Sequence, residues 1–479
     1  MHKAALFLWL ALTAAGCASA PGYRAPHVQV PSAFRETRDT AISVATAPSD
    51  TAQLLSWPDL GDSTLTRLVS QLARANLDVQ AAAARVRGAR AARTEAALDF
   101  APTVTFAGGY TRQRLSSATF PIGVGSFPDQ NIWDGGFDAS WELDLFGRVR
   151  HTVQAQGAFL GATQEDLRDI QISLTAELAR AYFDLRGAQE QLAVATRNAE
   201  NQQRTFNLTR ERLEAGRGTA FDTERAQAQL STTLASIPAL QGRVRQAQYQ
   251  IGVLVGRSPA QVAAELEKPA PLPDVPDLGD LAPPDSVVRR RPDVAAAERQ
   301  LAVERALVGA AKADYLPRIT LDGTAGYTAG EFNALGDRGT FRYAVGPVIS
   351  WPALNLGRIK ARVDQSHARE SEARAQYDLT VLRALQDVES SLVRYRTARG
   401  RLDRLRDAAD ASERAAGLAR LRFTGGVADF LQVLDAERTQ LEAQDRLAQA
   451  RTEAATAYAA LYKALGGSWP TSKAPGTNR

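Results

Sequence analysis

One stretch limits this chain more than any other: between Trp133 and Ala215 a two-residue rhythm gives way to a three-and-four-residue one. Trp133, Phe137, Ala139, Trp141, Leu143 and Leu145 fall on alternate positions, with Asp134, Asp138, Ser140, Glu142 and Asp144 between them. That alternation predicts a strand with one apolar and one acidic face. Beyond Phe146-Gly147-Arg148, the residues Leu167, Ile170, Leu174, Leu178, Ala181, Leu185, Ala188, Leu192, Ala195 and Ala199 step by threes and fours. This is the seam of a helix in coiled-coil-like packing. No proline falls between Pro128 and Pro238. A helix from Arg148 to Leu213 would extend about 100 Å at ~1.5 Å per residue, far beyond the needs of a globular domain.

The pattern occurs twice. Trp141 and Trp351, Gly147 and Gly357, Gly216 and Gly426, and Gly256 and Gly466 are each 210 residues apart, the signature of an internal repeat. The copies cover residues 57–258 and 285–469, and each reads as helix, strand, loop, strand, long helix, glycine turn, returning helix. The first opens a helix at Asn76 that runs to about Phe100. The second opens one at Arg291-Pro292-Asp293 that ends near Leu316. The second long helix is predicted over Gly357 to Phe423. The returning helices are predicted over Phe221 to Leu254, kinked at Pro238, and over Phe430 to Leu465. Residues 259–284, rich in proline and acids, read as a connecting loop on the outside, and 470–479 as a flexible tail.

The other three strands alternate in the same way. Val104, Phe106 and Tyr110 oppose Thr103, Thr105 and Thr111; Ile319, Leu321, Ala325 and Tyr327 oppose Arg318, Thr320, Asp322 and Thr324; Phe341, Tyr343, Val345, Ile349 and Trp351 oppose Arg342 and Ser350. Each is about 10 residues long, enough to cross a tilted path through a bilayer, with aromatic residues near its ends. The loops at 114–130 and 330–339 read as exposed hairpin tips. A soluble antiparallel sheet also alternates, but the helices are committed to their own seams and leave nothing to cover four apolar faces. Four strands cannot close a barrel, and an open edge is not viable in lipid. Several chains must contribute: two would give eight strands and three would give twelve.

At the N-terminus a short basic start precedes an apolar run, Ala4 to Ala15, too short to span a bilayer. The run ends in Ala14-Ala15-Gly16-Cys17, which resembles a bacterial lipobox. Residues 1–16 then read as a lipoprotein signal peptide, Cys17 as the acylated residue, and 17–56, rich in Pro, Ser, Thr and Ala, as an extended tether. Cys17 is the one cysteine, so no intrachain disulfide forms. Lys and Arg total 57 against 53 acids, without basic blocks or interleaved aromatics, which argues against nucleic-acid binding. With four His and one Cys, and no His-x-x-x-His pair, nucleophile elbow or Gly-rich nucleotide loop, the expectation is no metal site, no cofactor and no catalysis.

Four segments carry a resemblance to a known family. Ser140-Trp141-Glu142-Leu143-Asp144-Leu145-Phe146-Gly147-Arg148-Val149-Arg150 is the most specific. Arg290-Arg291-Pro292-Asp293, Val433-Leu434-Asp435-Ala436-Glu437-Arg438 and Leu461-Tyr462-Lys463-Ala464-Leu465-Gly466-Gly467-Ser468-Trp469 accompany it. Together they are similar to the motifs of the outer membrane factors, the TolC-like channel-tunnels, in particular the lipoprotein branch serving resistance–nodulation–division (RND) efflux pumps. The resemblance implies an α+β membrane protein: a homotrimer with a 12-stranded β-barrel, four strands per chain, and a long α-helical barrel crossing the periplasm. It implies a passive exit duct for small molecules such as drugs and toxic compounds, set among outer-membrane lipids and docked to a periplasmic adaptor and an inner-membrane RND transporter. The alternatives are a duct for type I protein secretion, which the lipobox and the Gly466-Gly467 ending disfavour, and a periplasmic adaptor, which would lack four bilayer-length strands. Metal-ion efflux is compatible too, though one Met and few His give the duct itself no means of handling metal.

The glycine turns, with Gly216, Gly218 and Thr219 in one and Gly425, Gly426 and Val427 in the other, read as helix C-caps leading into tight helical hairpins. No strand precedes either, which argues against a phosphate loop. By resemblance they form the tip that meets the adaptor. Again by resemblance, side chains shortly before the second turn close the tip, and the candidates are Asp407, Asp410, Leu418 and Arg420. Asp134, Asp138, Glu142 and Asp144 would line the barrel lumen as acidic rings that favour cations.

Overall fold

A computed structural model describes residues 30–38, 60–115, 128–276, 281 and 283–467. The signal peptide, Cys17, most of the tether and the tail from 468 onward lie outside the described residues. The elements are α1 (Ser63–Ala75), α2 (Leu77–Leu98), β1 (Thr103–Gln113), β2 (Gln130–Glu142), α3 (Arg148–Glu214), α4 (Ala220–Leu254), α5 (Pro259–Glu265), α6 (Pro284–Arg290), α7 (Pro292–Ala313), β3 (Arg318–Ala329), β4 (Phe341–Ser350), α8 (Leu356–Thr424) and α9 (Phe430–Ala464). No helix among the described residues is long and apolar enough to cross a membrane.

The chain divides into two compact units, and each draws on both repeats. The first unit, built mainly from Arg85–Gln164 and Ala296–Tyr377, contains one antiparallel sheet in the order β1-β2-β3-β4. The central pairing joins the repeats, with Phe137 opposite Ala325 and Trp141 opposite Leu321. The outer edges of β1 and β4 have no partner strand among the described residues. Two indoles fix the strand ends in equivalent ways. Trp141 Nε1 donates to the Phe100 carbonyl at 2.9 Å, and Trp351 Nε1 donates to the Tyr315 carbonyl at 3.0 Å. Both acceptors sit where a helix gives way to the strand that follows it.

The second unit, Val28–Ala84 with Glu165–Ala295 and Asp378–Arg479, holds the main core. Leu178, Tyr182 and Phe183 of α3 pack with Val388, Leu392 and Tyr395 of α8 and with Tyr458 and Tyr462 of α9. Alanines supply much of the remaining seam, and their small side chains let the helix axes approach closely. Four helix ends share one geometry. The N–H groups of Arg217, Arg257, Val427 and Gly467 donate to the carbonyls of Arg212, Gly252, Arg422 and Tyr462 at 2.8–3.0 Å. Gly216, Gly256, Gly426 and Gly466 take φ of 65–85°, the left-handed cap that glycine adopts without strain.

Several expectations need correction. The tether is not free throughout. Phe34 is 2% exposed in the main core, and Glu389 accepts the Arg35 N–H at 2.8 Å while Arg396 donates to the Glu36 carboxylate at 3.0 Å. An apolar ring with a partner at each flank outweighs the extended bias of the surrounding composition. The connecting segment is likewise not merely an outer loop: α5 forms within it, Val262 and Leu266 are buried, and the buried Gln189 and Gln248 side chains both donate to the Leu266 carbonyl. Helix α1 precedes the helix that the pattern places at Asn76; its signal is Asp62, whose carboxylate accepts the Thr64 and Leu65 N–H groups as an N-cap. Gly147 takes φ +82°, whereas its counterpart Gly357 lies within α8.

Candidate functional site

In the sheet the two faces are chemically distinct. Phe106, Phe137, Tyr343 and Val345 share one side and are freely exposed, Phe106 at 66% and Val345 at 70%, while Thr105, Asp138, Ser140, Asp322 and Thr324 share the other. These polar residues line a hollow of about 630 Å³, so the polar face is the concave one. A paired glycine shows the same curvature. Gly136 and Gly326 face each other across β2 and β3 on the polar side. A Cβ on Gly136 would lie 2.8 Å from the Ala325 carbonyl oxygen, whereas one on Gly135, on the opposite face, would meet nothing.

The four sequence-predicted lumen acids have unequal positions. Asp134 lies on the polar face but is bound by Arg342 at 2.6 Å and by the Thr328 hydroxyl at 2.8 Å. Glu142, at the end of β2, accepts both arms of the Arg148 guanidinium at 2.8 and 2.6 Å. Asp144 lies past the strand and accepts the Val149 and Arg150 N–H groups at 3.0 and 2.9 Å, the anionic cap that starts α3. Asp138 alone of the four lines the hollow without such a commitment among the described residues, near Asp322. Three of the four acids are thus tied to partners within the chain, and Asp322, which alternation also places on the polar face, lies beside Asp138 in the lining of the hollow. The reason is local: a strand that must turn into a helix uses its last two acids to build the joint.

At the hairpin ends Gly218 packs against the last turn of α3, where its Cβ would come 3.1 Å from the Leu213 nitrogen. Thr219 caps α4 by accepting the Asp222 N–H at 3.1 Å, and Asp429 caps α9. Val427 is exposed at 72%. Phe423, Phe430, Val433 and Leu434 form a small core behind these turns together with Ala226 of α4. Arg212 of α3 lies over the Phe423 ring at 4.1 Å, so both hairpins share this core.

On α8, the residues Asp403, Asp407, Asp410, Arg414, Leu418 and Leu421 form one exposed stripe spaced by threes and fours. Asp407, Asp410 and Leu418 thus lie together. Arg420 does not join them. It turns to α9, where its Nε binds Glu437 at 3.0 Å and its Nη2 binds Gln440 at 3.0 Å. Glu437 is buried and also accepts from Thr205 of α3 at 3.2 Å. Burial pushes the Glu437 carboxyl above the usual carboxylate range against the pull of Arg420. Arg420 is therefore a brace between helices, drawn off the stripe by a carboxylate that would otherwise be buried alone.

Residues 68–257 and 284–467 match the model of the family described as outer membrane efflux protein. The chain is 31% identical over 472 residues to the antibiotic efflux pump outer membrane protein ArpC of Pseudomonas putida, covering 96% of this chain and 95% of that one. It is 28% identical to Nodulation protein T of Rhizobium leguminosarum bv. trifolii, across 97% of this chain and 98% of that one. Among solved structures, the outer-membrane channel OprN superposes with a TM-score of 0.85 at 38% identity, covering 95% of this chain and all of that one. With an exposed apolar sheet face, a concave polar face and paired helical hairpins already in place, the conclusion is direct. The chain belongs to the outer membrane efflux protein family: it is an outer-membrane channel that extends into the periplasm as the exit duct of an efflux pump, and not an enzyme.

Proposed function

We propose that three copies of the chain close a twelve-stranded barrel through the free edges of β1 and β4, and that the duct so formed conducts small molecules outward. The observation that carries this reading is the sheet itself: four strands whose two edges have no partner among the described residues and an exposed apolar convex face, an arrangement lipid does not tolerate open. Twelve strands are favoured over eight because an eight-stranded barrel fills with its own side chains, whereas a larger one leaves a passage. Acyl chains on Cys17 add a second hold on the membrane. The turns at Gly216, Gly218, Thr219, Gly425, Gly426 and Val427 meet a periplasmic adaptor, and an inner-membrane RND transporter supplies the energy. ArpC, named for antibiotic efflux, supports small organic molecules as cargo.

In this reading Asp407, Asp410 and Leu418 face the lumen and narrow it near the tip. Charge reversal, Asp410→Lys, is expected to lower cation selectivity and alter single-channel conductance in planar bilayers, because a ring of three carboxylates becomes a ring of three ammonium groups. Unaltered conductance and selectivity would remove Asp410 from the gate.

A further inference from the structure

We propose that the outward-facing rim of β1 holds the phosphate of an anionic lipid headgroup in the outer leaflet. Val104, Phe106, Tyr110 and Arg112 share the convex face of β1, and the facing positions on β2 are Ala139, Phe137, Trp133 and Asn131. The apolar part of this face ends in an aromatic cluster. Tyr110 lies 4.5 Å from Trp133, and Phe332 from the β3–β4 loop meets the same Trp133 at 5.1 Å. The Tyr110 hydroxyl donates to Asn131 at 3.0 Å. Such rings mark the boundary between hydrocarbon and headgroups.

Charge begins just past that boundary. Arg112 stands two residues beyond Tyr110, about 7 Å along the strand, and Arg114 follows where the strand ends. Both bind one carboxylate: Arg112 Nη2 reaches Asp129 at 3.0 Å and Arg114 Nε reaches it at 2.5 Å. Two guanidiniums on one carboxylate leave a net positive charge and most of their N–H donors open to water, in the fork geometry that fits phosphate oxygens. At the opposite end of the sheet, where the strands join the long helices, the convex positions Val104, Ile319, Ile349 and Trp351 carry no charge. The cations therefore mark one leaflet, the one on the side away from the helices. Asp129 preorganises the two side chains and weakens them as an anion site, so it tunes the affinity.

The inference rests on the sheet lying in the outer membrane. Full-length protein in detergent is examined by native mass spectrometry with bisphosphorylated lipid A, with the same lipid stripped of phosphate, and with inorganic phosphate as competitor. Wild type is expected to retain the phosphorylated lipid and release the stripped one. The Arg112→Ala/Arg114→Ala variant is expected to lose about fivefold in affinity per arginine removed, and Asp129→Asn to bind more tightly. Equal retention of both lipids, or unchanged affinity in the double variant, overturns the proposal. Displacement by inorganic phosphate at equal concentration assigns the rim to free anions and overturns it too. If the double variant does not assemble, Asp129→Asn decides alone, and an unchanged affinity there counts against the site. Channel conductance in planar bilayers, expected to persist in every variant, separates a failed headgroup site from a failed membrane placement.

Discussion

Arg291→Ala is expected to destabilise the protein by about 3–5 kcal/mol, the cost of removing one partner from a buried ionic network. Arg291 is 6% exposed and sits at the junction of α6 and α7. Its Nε and Nη2 bind both oxygens of Asp293 at 3.0 and 2.6 Å, and Nη2 also reaches Asp387 of α8 at 3.1 Å. Nη1 donates to the Ala464 carbonyl at 3.1 Å, near the end of α9. Burial works against the charge, but Asp293 and Asp387 more than offset it, so the group is held firmly protonated. Three helices thus converge on one guanidinium. Alanine would strand Asp293 and a helix-terminal carbonyl together. Arg291→Lys should recover only part of the loss, since an ammonium cannot span both carboxylates and the carbonyl at once. Asp387→Asn, at a half-exposed partner, should cost under about 1 kcal/mol. The temperature at which the oligomer dissociates, followed on gels without boiling, checks the ranking; equal midpoints for Arg291→Ala and Asp387→Asn would refute the hub.

The second large effect is expected at the glycine pair. In Gly326→Val the new Cβ would lie 2.5 Å from the Gly135 carbonyl oxygen and 2.6 Å from the Gly136 Cα. Both are backbone atoms of the adjoining strand, which cannot rotate away as a side chain would. Overpacking of this kind costs about 1–3 kcal/mol at a site able to relax, and here relief requires β2 and β3 to separate. That would break the one pairing that joins the two repeats. Gly323→Val is the control, since its added Cβ has no neighbour closer than 3.8 Å. The expected outcome is loss of folded, heat-modifiable protein from outer membranes for Gly326→Val and retention for Gly323→Val. Similar yields of the two would show that the sheet is not creased there.

Both residues bear on what the amino-acid order discloses. Periodicity located β1 to β4 and the two long helices within a few residues, because a face that repeats every two positions, or every three and four, is a property of the chain itself. The four motifs were visible as strings, but their purpose was not. Arg291-Pro292-Asp293 and Leu461 to Gly467 are remote in sequence yet meet at the Ala464 carbonyl. The Val433 to Arg438 segment supplies Val433 and Leu434 to the tip core and Glu437 to the Arg420 brace. The strand-to-helix motif supplies Trp141 to one backbone acceptor, Glu142 to Arg148 and Asp144 to the first turn of α3. Helical spacing alone could not separate Arg420 from Asp410, since the choice is made by a carboxylate 17 residues farther on. Nor could composition reveal that Phe34 anchors a segment that otherwise reads as a free tether.

The central claim is that the sheet's convex face meets lipid and its concave face lines a water-filled pore. Single cysteines introduced one at a time along β1 and β4, in a chain whose native cysteine is Cys17 alone, test it directly by reaction with a membrane-impermeant thiol reagent in intact outer membranes. Labelling should alternate, strong at Thr105→Cys and Ala344→Cys, and absent at Phe106→Cys and Tyr343→Cys, which should react with a lipid-soluble probe instead. Uniform aqueous labelling of both faces would contradict it.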